Sequence, residues 1–180
     1  MFEKLRVLEY NPEWPEIYNL EKSKIQEKIG EYIASIDHIG STAVEGLVAK
    51  PIIDILIGLN SLDDAQYCIP KLEELNYEYV PEFEDVLPER RYLRKPPEGQ
   101  GPRDYHIHMV ELKSYFWKRQ LIFRDYLRKF PEAAKEYGDL KLKLAAELLD
   151  DRRAYSEGKT DFILGILEKV EKETEGNQKE

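Results

Sequence analysis

HIGSTAVEGLVAKPIIDILIGL, residues 38–59, is the stretch of the chain that decides its fold. It opens with a short apolar segment that breaks at a Gly-Ser-Thr turn, residues 40–42, and leads into an apolar run that holds one aspartate, Asp54. The run is rich in β-branched residues and ends at Gly58, which predicts a β-strand. The segment therefore predicts two strands, with a turn of small residues between them and a carboxylate on the second.

The carboxylate of Asp54 needs a partner or a solvent-exposed position, because an unpaired buried charge is costly. Strand side chains alternate between the two faces of a sheet. Ile53 and Ile55 are therefore predicted to point to one face, and Asp54 and Leu56 to the other. One explanation of the aspartate is a salt bridge to Lys50 or to an arginine. The other is a metal or ligand site, in which Lys50 would be a substrate ligand.

The turn at Gly40, Ser41 and Thr42 gives the functional explanation more weight. Small residues let the backbone approach a ligand closely, and N–H groups at the start of a helix can hold phosphate oxygens. The next residues, 43–47, are predicted to begin a short helix. A Gly-Ser-Thr turn alone is more often structural, but an aspartate on the following strand favours a phosphate-binding turn.

The composition describes one soluble globular domain. The chain has 180 residues, of which 42% are hydrophobic and 35% charged, and this length predicts a single domain over residues 1–180. The net charge of −9 argues against non-specific binding to nucleic acid or to an anionic membrane. A single cysteine, with no basic-then-apolar leader and no long uncharged run, predicts a cytoplasmic protein without a membrane span. The oligomeric state is left open.

The remaining segments predict an α+β fold, in which a mixed sheet is flanked and followed by helices. An amphipathic helix is predicted from about Pro15, and a second helix after Ser61 is predicted to kink or split at Pro70. From about residue 114 the chain is predicted to be helical, and residues 172–180 are predicted to fray. Three further strands are predicted in YEYVPEF, ERRYLRK and RDYHIHMVEL, with the Pro- and Gly-rich loop PPEGQGP before the last of them.

Two histidines alternate with apolar residues on the last predicted strand, in the segment DYHIHMVE. His106 and His108 are predicted to share one face, with Ile107 on the other. Together with Asp54 they offer a site for Zn²⁺, Mn²⁺ or another transition metal, more than for Mg²⁺, which prefers oxygen ligands. The structural alternative is that the imidazoles hydrogen-bond to carbonyl groups or to Asp54. A general-base role for one of them is a third interpretation.

The densest basic patch of the chain lies in PERRYLRK. On a strand, Arg91 and Lys95 share one face, and Arg90 and Arg94 share the other. Arginine binds phosphate through two parallel hydrogen bonds, which favours phosphate or carboxylate binding in this patch. The alternative is a solvated face that pairs with the abundant glutamates.

The spacing of these groups resembles that of a known superfamily. A Gly-Ser pair, twelve residues and then an aspartate between apolar neighbours is similar to the signature of the DNA polymerase beta-like nucleotidyltransferases. The longer string HIGSTAVEGLVAKPIIDI resembles more narrowly the GrpB family, a branch of that superfamily. The likeness continues in ERRYLRK, in HIHMVE and in residues 123–145. The resemblance implies a nucleotidyltransferase-like mixed sheet flanked by helices, with further helices in the C-terminal part.

The resemblance also implies roles for the candidate residues. The Gly-Ser pair would position the phosphates of a nucleoside triphosphate, and Asp54 would hold a divalent metal ion, Mg²⁺, Mn²⁺ or Zn²⁺. Members of the superfamily carry a second carboxylate two residues further on, where this chain has Leu56. The predicted catalytic and metal-binding residues are Asp54, His106 and His108; the predicted substrate- or phosphate-binding residues are Gly40, Ser41, Thr42, Lys50, Arg91, Arg94 and Lys95; His38 is a further candidate.

Three functions are consistent with this set of residues. The first is an enzyme that transfers a nucleotidyl group to a small molecule, using a nucleoside triphosphate and a metal ion. The second is a non-catalytic module that binds a nucleotide or a coenzyme-like molecule, which the leucine at the second carboxylate position favours. Both predict a nucleotide or a phosphorylated small molecule as the partner. The third is a hydrolase with one transition metal held by the histidines.

Overall fold

A computed structural model describes residues 6–148 and 151–177 of the chain. Its sheet consists of β1 (Ile33–Ile39), β2 (Ile53–Leu59), β3 (Glu78–Tyr79), β4 (Arg90–Lys95) and β5 (Tyr105–Glu111). The strands lie in the order β1-β2-β5-β4-β3. β2 and β5 are parallel and the other neighbouring pairs are antiparallel, so the predicted mixed sheet is confirmed.

Helices pack on the sheet and make up the C-terminal part of the chain. They are α1 (Trp14–Ile29), α2 (Ala65–Glu73), α3 (Tyr115–Lys129), α4 (Pro131–Leu148), α5 (Arg152–Glu157) and α6 (Thr160–Asn177). The α+β class is therefore confirmed. Among the described residues, none of the helices is long and apolar enough to cross a membrane.

The alternation of side chains on β2 separates two cores. Ile55 packs under α1 and α2 in a core that also includes Ile107 of β5. Leu56 points the other way and packs with Phe116 of α3. Full burial of each such side chain contributes about 1.5–3 kcal/mol, which fixes the register of the strand. Asp54 shares the face of Leu56, so its carboxylate lies on the opposite face from α1 and α2.

A third core forms where the C-terminal helices cover the loop after the Gly-Ser-Thr turn. Val44 and Leu47 of this loop pack with Leu127 of α3, Tyr137 of α4 and Ile166 of α6. The C-terminal helices are thereby fixed against the segment that carries the candidate site.

Two predictions about helices differ from the structure. α2 contains Pro70 and is not split by it, because the missing N–H removes a single backbone hydrogen bond of the helix. α6 continues to Asn177, beyond residue 172, from which fraying is predicted. Residues 178–180 lie outside the described residues.

The third strand is shorter than YEYVPEF predicted. β3 has two residues, and Pro81 then begins a 3₁₀ helix over Pro81–Asp85. Proline has no N–H group to donate to a neighbouring strand, so the pairing ends before it.

Gly58 of β2 lies next to a side-chain hydrogen bond that joins α3 to β1. Trp117 Nε1–H donates to Ser35 Oγ at 3.0 Å. A β-carbon at Gly58 would lie 2.7 Å from that oxygen and 2.9 Å from Leu112 Cδ1. Both distances are shorter than van der Waals contact, so the packing of α3 depends on a glycine here.

We expect Gly58→Ala to lower the free energy of unfolding by about 1–3 kcal/mol, because the added methyl group must displace its neighbours. Gly165→Ala is the matched control: a β-carbon there would meet no atom within 4 Å, and alanine inside α6 adds up to about 1 kcal/mol of stability. Urea unfolding followed by circular dichroism measures both variants. Equal stabilities would contradict the packing described around Gly58.

Candidate functional site

The Gly-Ser-Thr turn lies directly against the carboxylate of Asp54. Gly40 has a φ of 72°, a left-handed conformation that glycine adopts without strain. A β-carbon at Gly40 would overlap with Asp54 Oδ2. Glycine is therefore needed both for the backbone conformation and for the close approach. The structure brings together the two features that the spacing of the sequence relates.

The helix predicted after the turn is only a single turn of 3₁₀ helix, Ser41–Ala43. Val44 has an extended backbone, with φ −112° and ψ 115°, and Gly46 has a φ of 75°. A helix cannot continue through these conformations. The prediction that residues 43–47 begin a helix was therefore wrong, and this segment has no α-helix N-terminus that would hold a phosphate.

Thr42 and His38 anchor the turn from within the protein. Thr42 is buried, and its hydroxyl donates to the carbonyl of Ile52 at 3.2 Å. The same hydroxyl lies 2.9 Å from His38 Nε2 and therefore accepts from the Nε2–H group. The imidazole stacks on Tyr18. Burial lowers the pKa of His38 to about 4, although the charge of Asp54 opposes the shift. A neutral His38 thus holds the turn, and its role as a site residue stays a prediction.

Two imidazoles from β5 converge on one oxygen of Asp54. Asp54 Oδ1 lies 3.1 Å from His106 Nδ1 and 3.7 Å from His108 Nε2. Burial raises the pKa of the Asp54 carboxyl, but the contacts with both histidines outweigh it and hold the pKa well below its ordinary value. The aspartate is therefore ionised at neutral pH. Its side chain is 27% exposed, so it reaches the surface.

Arg90 of β4, which was not among the predicted site residues, determines where His108 carries its proton. Arg90 Nη1 lies 3.3 Å from His108 Nδ1, and a guanidinium group can only donate. His108 Nδ1 therefore accepts, and the proton of the neutral ring lies on Nε2, towards Asp54. Burial lowers the pKa of His108 against the effect of Asp54, which keeps the ring neutral. Three aromatic rings surround the guanidinium carbon at 5.2–6.0 Å: Tyr92, Phe116 and Phe83.

The predicted metal site does not have an open set of ligands. Among the residues that the structure describes, no group of three or more His, Cys, Asp and Glu side chains could hold a metal ion. Asp54 and His106 are instead hydrogen-bonded to each other. The divalent metal stays a prediction, and we base no chemical step on it.

The predicted basic patch is paired with glutamates. Arg94 shares the face of His106, whereas Arg91 and Lys95 lie on the opposite face of the sheet from Asp54. These contacts agree with the interpretation of the patch as a face that pairs with glutamates, although its role in ligand binding is not tested by them. The pairs are Arg91 with Glu84 at 3.0 Å, Lys95 with Glu21 at 2.7 Å, and Arg94 with Glu78 at 2.7 and 2.9 Å.

Two lysines of the C-terminal part, which no sequence pattern identified, lie near the site, and Lys141 contacts the turn. Lys141 of α4 is 2% exposed, and its Nζ lies 2.8 Å from Ser41 Oγ and also contacts the carbonyl of Val48. Burial, and to a smaller extent the charge of Lys159, lowers the pKa of Lys141 to about 7. Burial also lowers the pKa of Lys159, whereas the charge of Asp54 raises it. Lys159 therefore lies within electrostatic reach of both Lys141 and Asp54.

Tyr155 of α5 joins Lys50 to these lysines. The Nζ atoms of Lys50 and Lys159 lie 4.2 and 4.5 Å from the centre of the buried Tyr155 ring. Contacts of this kind stabilise an ammonium group by about 0.5–2 kcal/mol. Lys50, a predicted substrate ligand, thus lies in a group with Lys141 and Lys159, which we call the lysine cluster.

Two cavities lie beside the turn, and neither is lined by Asp54. The larger is a groove of about 620 Å³ between residues 43–48 and the helices α3 and α4. The smaller has about 120 Å³ and is lined by Gly40, Ser41 and residues of α3, α4 and α6. Ser41 is therefore the predicted site side chain that lines a cavity.

The fold and the site define an α+β domain in which a Gly-Ser turn meets an aspartate on the next strand, which is consistent with the nucleotidyltransferase superfamily. A family model described as GrpB protein matches residues 4–169. The chain belongs to the GrpB family.

Relatives and a solved structure support this assignment. The chain is 38% identical to UPF0157 protein YqkA of Bacillus subtilis (strain 168), over 89% of this chain and 45% of the relative. It is 33% identical to glutamate-rich protein GrpB of Alkalihalophilus pseudofirmus, over 89% of this chain and 92% of the relative. A crystal structure of conserved protein GrpB from Enterococcus faecalis matches with a TM-score of 0.83 and 35% identity, over 94% and 99% of the two chains. The chain thus spans less than half the length of the Bacillus subtilis relative.

We expect stability to fall as the pH drops from about 6.5 to about 4, since the folded protein takes up a proton on His38 less readily than the unfolded chain. The loss from this residue approaches about 3 kcal/mol below pH 4. His38→Gln keeps a donor for Thr42 and cannot titrate, so its stability should change less over this range. Thermal unfolding at several pH values measures the difference. The same pH dependence in both proteins would show that His38 is not protected from protonation.

We expect Gly40→Ala to destabilise the protein more than Gly46→Ala. Both glycines have a left-handed backbone, which costs about 1–2 kcal/mol for alanine, but only at Gly40 does the added β-carbon meet Asp54. A β-carbon at Gly46 would meet nothing within 4 Å. Urea unfolding of the two variants measures the difference, to which the contact with Asp54 and the ψ of −174° at Gly40, a conformation essentially restricted to glycine, both contribute. Equal losses would mean that the turn does not touch the carboxylate in solution.

Proposed function

We propose that this chain binds a nucleotide, or a similar phosphorylated small molecule, between the Gly-Ser-Thr turn and the lysine cluster. The observation that supports this best is the contact between the turn and Asp54. The ammonium group of Lys159 interacts electrostatically with the same carboxylate. The turn brings backbone close to the carboxylate, and the lysine cluster places positive charge on the C-terminal side. A polyanion with a hydroxyl-bearing part matches both sides of this site.

The lysine cluster supplies positive charge that the predicted basic patch lacks. Arg91, Arg94 and Lys95 of that patch are paired with glutamates, in a chain with a net charge of −9. Burial lowers the pKa of Lys159, which shows that its ammonium group has lost solvation. A phosphate oxygen at 4 Å offsets such a loss by about 4 kcal/mol at an effective dielectric constant of about 20. An anionic ligand is therefore the natural partner of this lysine.

Nucleotidyl transfer to a small molecule is the second candidate function, and the position of Asp54 beside the turn favours it. Asp54 orients His106, whose buried Nε2 has no hydrogen-bond partner within the described part of the chain and can accept a proton. The buried Leu56, however, occupies the position of the second carboxylate that a two-metal mechanism uses. Binding without turnover is therefore supported better than transfer. The hydrolase with one transition metal lacks a ligand set among the described residues.

Thermal unfolding with nucleoside mono-, di- and triphosphates, each with and without Mg²⁺, Mn²⁺ or Zn²⁺, tests the proposal. A ligand at about 100 times its dissociation constant stabilises the folded protein by about 2.7 kcal/mol. We expect Lys159→Met to weaken binding at least about 10-fold, because a hydrogen bond to a charged group contributes about 1.5–3 kcal/mol. Lys172→Met is the matched control, since this lysine is 78% exposed on α6 and pairs with Glu168.

The absence of stabilisation by any of these ligands would contradict the proposal. Equal weakening in both lysine variants would also contradict it, because net charge alone would then explain the effect. Release of pyrophosphate from a triphosphate, abolished by Asp54→Asn, would establish nucleotidyl transfer in place of binding alone.

A further inference from the structure

Ser41 and Lys141 form a buried pair beside the smaller cavity. Ser41 Oγ and Lys141 Nζ lie 2.8 Å apart, and the lysine side chain is almost fully buried. The turn carries the serine, and α4 carries the lysine 100 residues further along the chain. A lysine amine within hydrogen-bond distance of a serine hydroxyl is the arrangement in which an amine can activate the hydroxyl as a nucleophile.

The surroundings of Lys141 favour its neutral form. Within the described part of the chain, its two polar contacts are with neutral oxygens, Ser41 Oγ and the carbonyl of Val48, and the Tyr137 ring centre lies 4.8 Å from Nζ. Burial, with a smaller effect of the charged Lys159, lowers the pKa of Lys141 to about 7. Half or more of the molecules therefore carry a neutral amine above that pH. Lys141 Nζ donates to Ser41 Oγ and to the carbonyl of Val48. In the neutral form, the amine has a lone pair that can take the proton of the Ser41 hydroxyl.

The smaller cavity offers a place for an acyl group next to Ser41. Its volume is about 120 Å³, and apolar side chains line it together with Ser41, Arg119, Gln120 and Arg124. A water molecule occupies about 30 Å³ in the liquid, so the cavity has room for roughly four non-hydrogen atoms. Arg119 and Gln120 line the same cavity and carry N–H groups that can stabilise a developing oxyanion. The apolar residues are Val44, Phe123, Leu127, Tyr137 and Ile163.

We propose that Ser41 and Lys141 form a Ser–Lys dyad that hydrolyses esters or thioesters of short acyl groups. The proposal does not depend on the binding of a nucleotide. It rests on the contact of the two side chains, on the burial of the lysine among neutral oxygens, and on the small apolar cavity that Ser41 lines.

The reaction proceeds in two steps. Ser41 Oγ bonds to the acyl carbon while its proton passes to Lys141 Nζ, and the bond from the acyl carbon to the leaving oxygen or sulfur breaks. The Lys141 ammonium group then returns the proton to the departing alkoxide or thiolate. Water next attacks the acyl-serine, with Lys141 taking a proton from the water. The carboxylic acid leaves, and Ser41 regains its proton.

The dyad is tested with a fluorophosphonate reagent and with p-nitrophenyl esters of acetate, butyrate and octanoate. We expect the reagent to modify Ser41 once per chain, as measured by intact mass and peptide mapping. Ser41→Ala should abolish the modification, and Lys141→Met should slow ester hydrolysis by at least about 100-fold. Lys143→Met is the matched control, because this lysine lies on the same helix and is 70% exposed.

The pH profile and the chain length give two independent checks. Hydrolysis by the unmodified protein should rise with pH around 7, and this rise should be lost in Lys141→Met. Acetate and butyrate esters should react at least about 10-fold faster than octanoate, because the cavity is small. If the folded protein, as shown by circular dichroism, is not modified at Ser41, or if Ser41→Ala hydrolyses the esters at the original rate, the dyad is refuted. Modification of Ser41 in a protein that no nucleotide stabilises would support the dyad and contradict the proposed binding function, so the two proposals can fail separately.

Discussion

The rest of the site depends on the contact between the backbone of Gly40 and the carboxylate of Asp54. The contact exists because β1 and β2 pair antiparallel, with Ile39 opposite Asp54, so the chain leaves β1 at the level of the aspartate. A left-handed glycine then turns the chain across the carboxylate without a side chain in the way. Neutral His38 and Thr42 hold the turn from below, and this internal support leaves its outer surface available to a ligand.

Two groups of cationic side chains, one on β4 and the other in the lysine cluster, lie in different environments. Arg91, Arg94 and Lys95 of β4 face glutamates from α1, β3 and the segment after it, and they connect strands and helices of the sheet layer. In the lysine cluster, Lys141 contacts neutral oxygens and Lys159 lies over an aromatic ring, and burial lowers the pKa of both. Positive charge that a carboxylate already neutralises contributes little to the binding of an anion, whereas poorly solvated ammonium groups gain much from it. This difference is the reason that we propose Lys159, and not these cations of β4, for the anion-binding side of the site.

Local sequence patterns were sufficient to predict the sheet and the face of it on which Asp54 and His106 lie. Alternation in IIDILI and in HIHM is a property of neighbouring residues, so the faces of Asp54 and His106 followed from it. The contact of Lys141 with Ser41 joins residues 100 positions apart. The periodicity of α4 predicts an apolar face but not the segment that this face covers, and a lysine within a helix is indistinguishable from an exposed one. The helix expected after the turn was not found because Gly46 adopts a left-handed backbone, which sequence alone does not reveal.

The two oxygens of Asp54 have separate surroundings, and this limits what can approach them. Oδ1 already faces both imidazoles of β5, while Oδ2 lies against the turn. Because the group is ionised, a bare phosphate oxygen arriving at Oδ2 would be repelled. A ligand group that binds to Oδ2 must donate a hydrogen bond, as a sugar hydroxyl or an amine does. A bound nucleotide would then be oriented, with its sugar towards the aspartate and its phosphates towards the lysines.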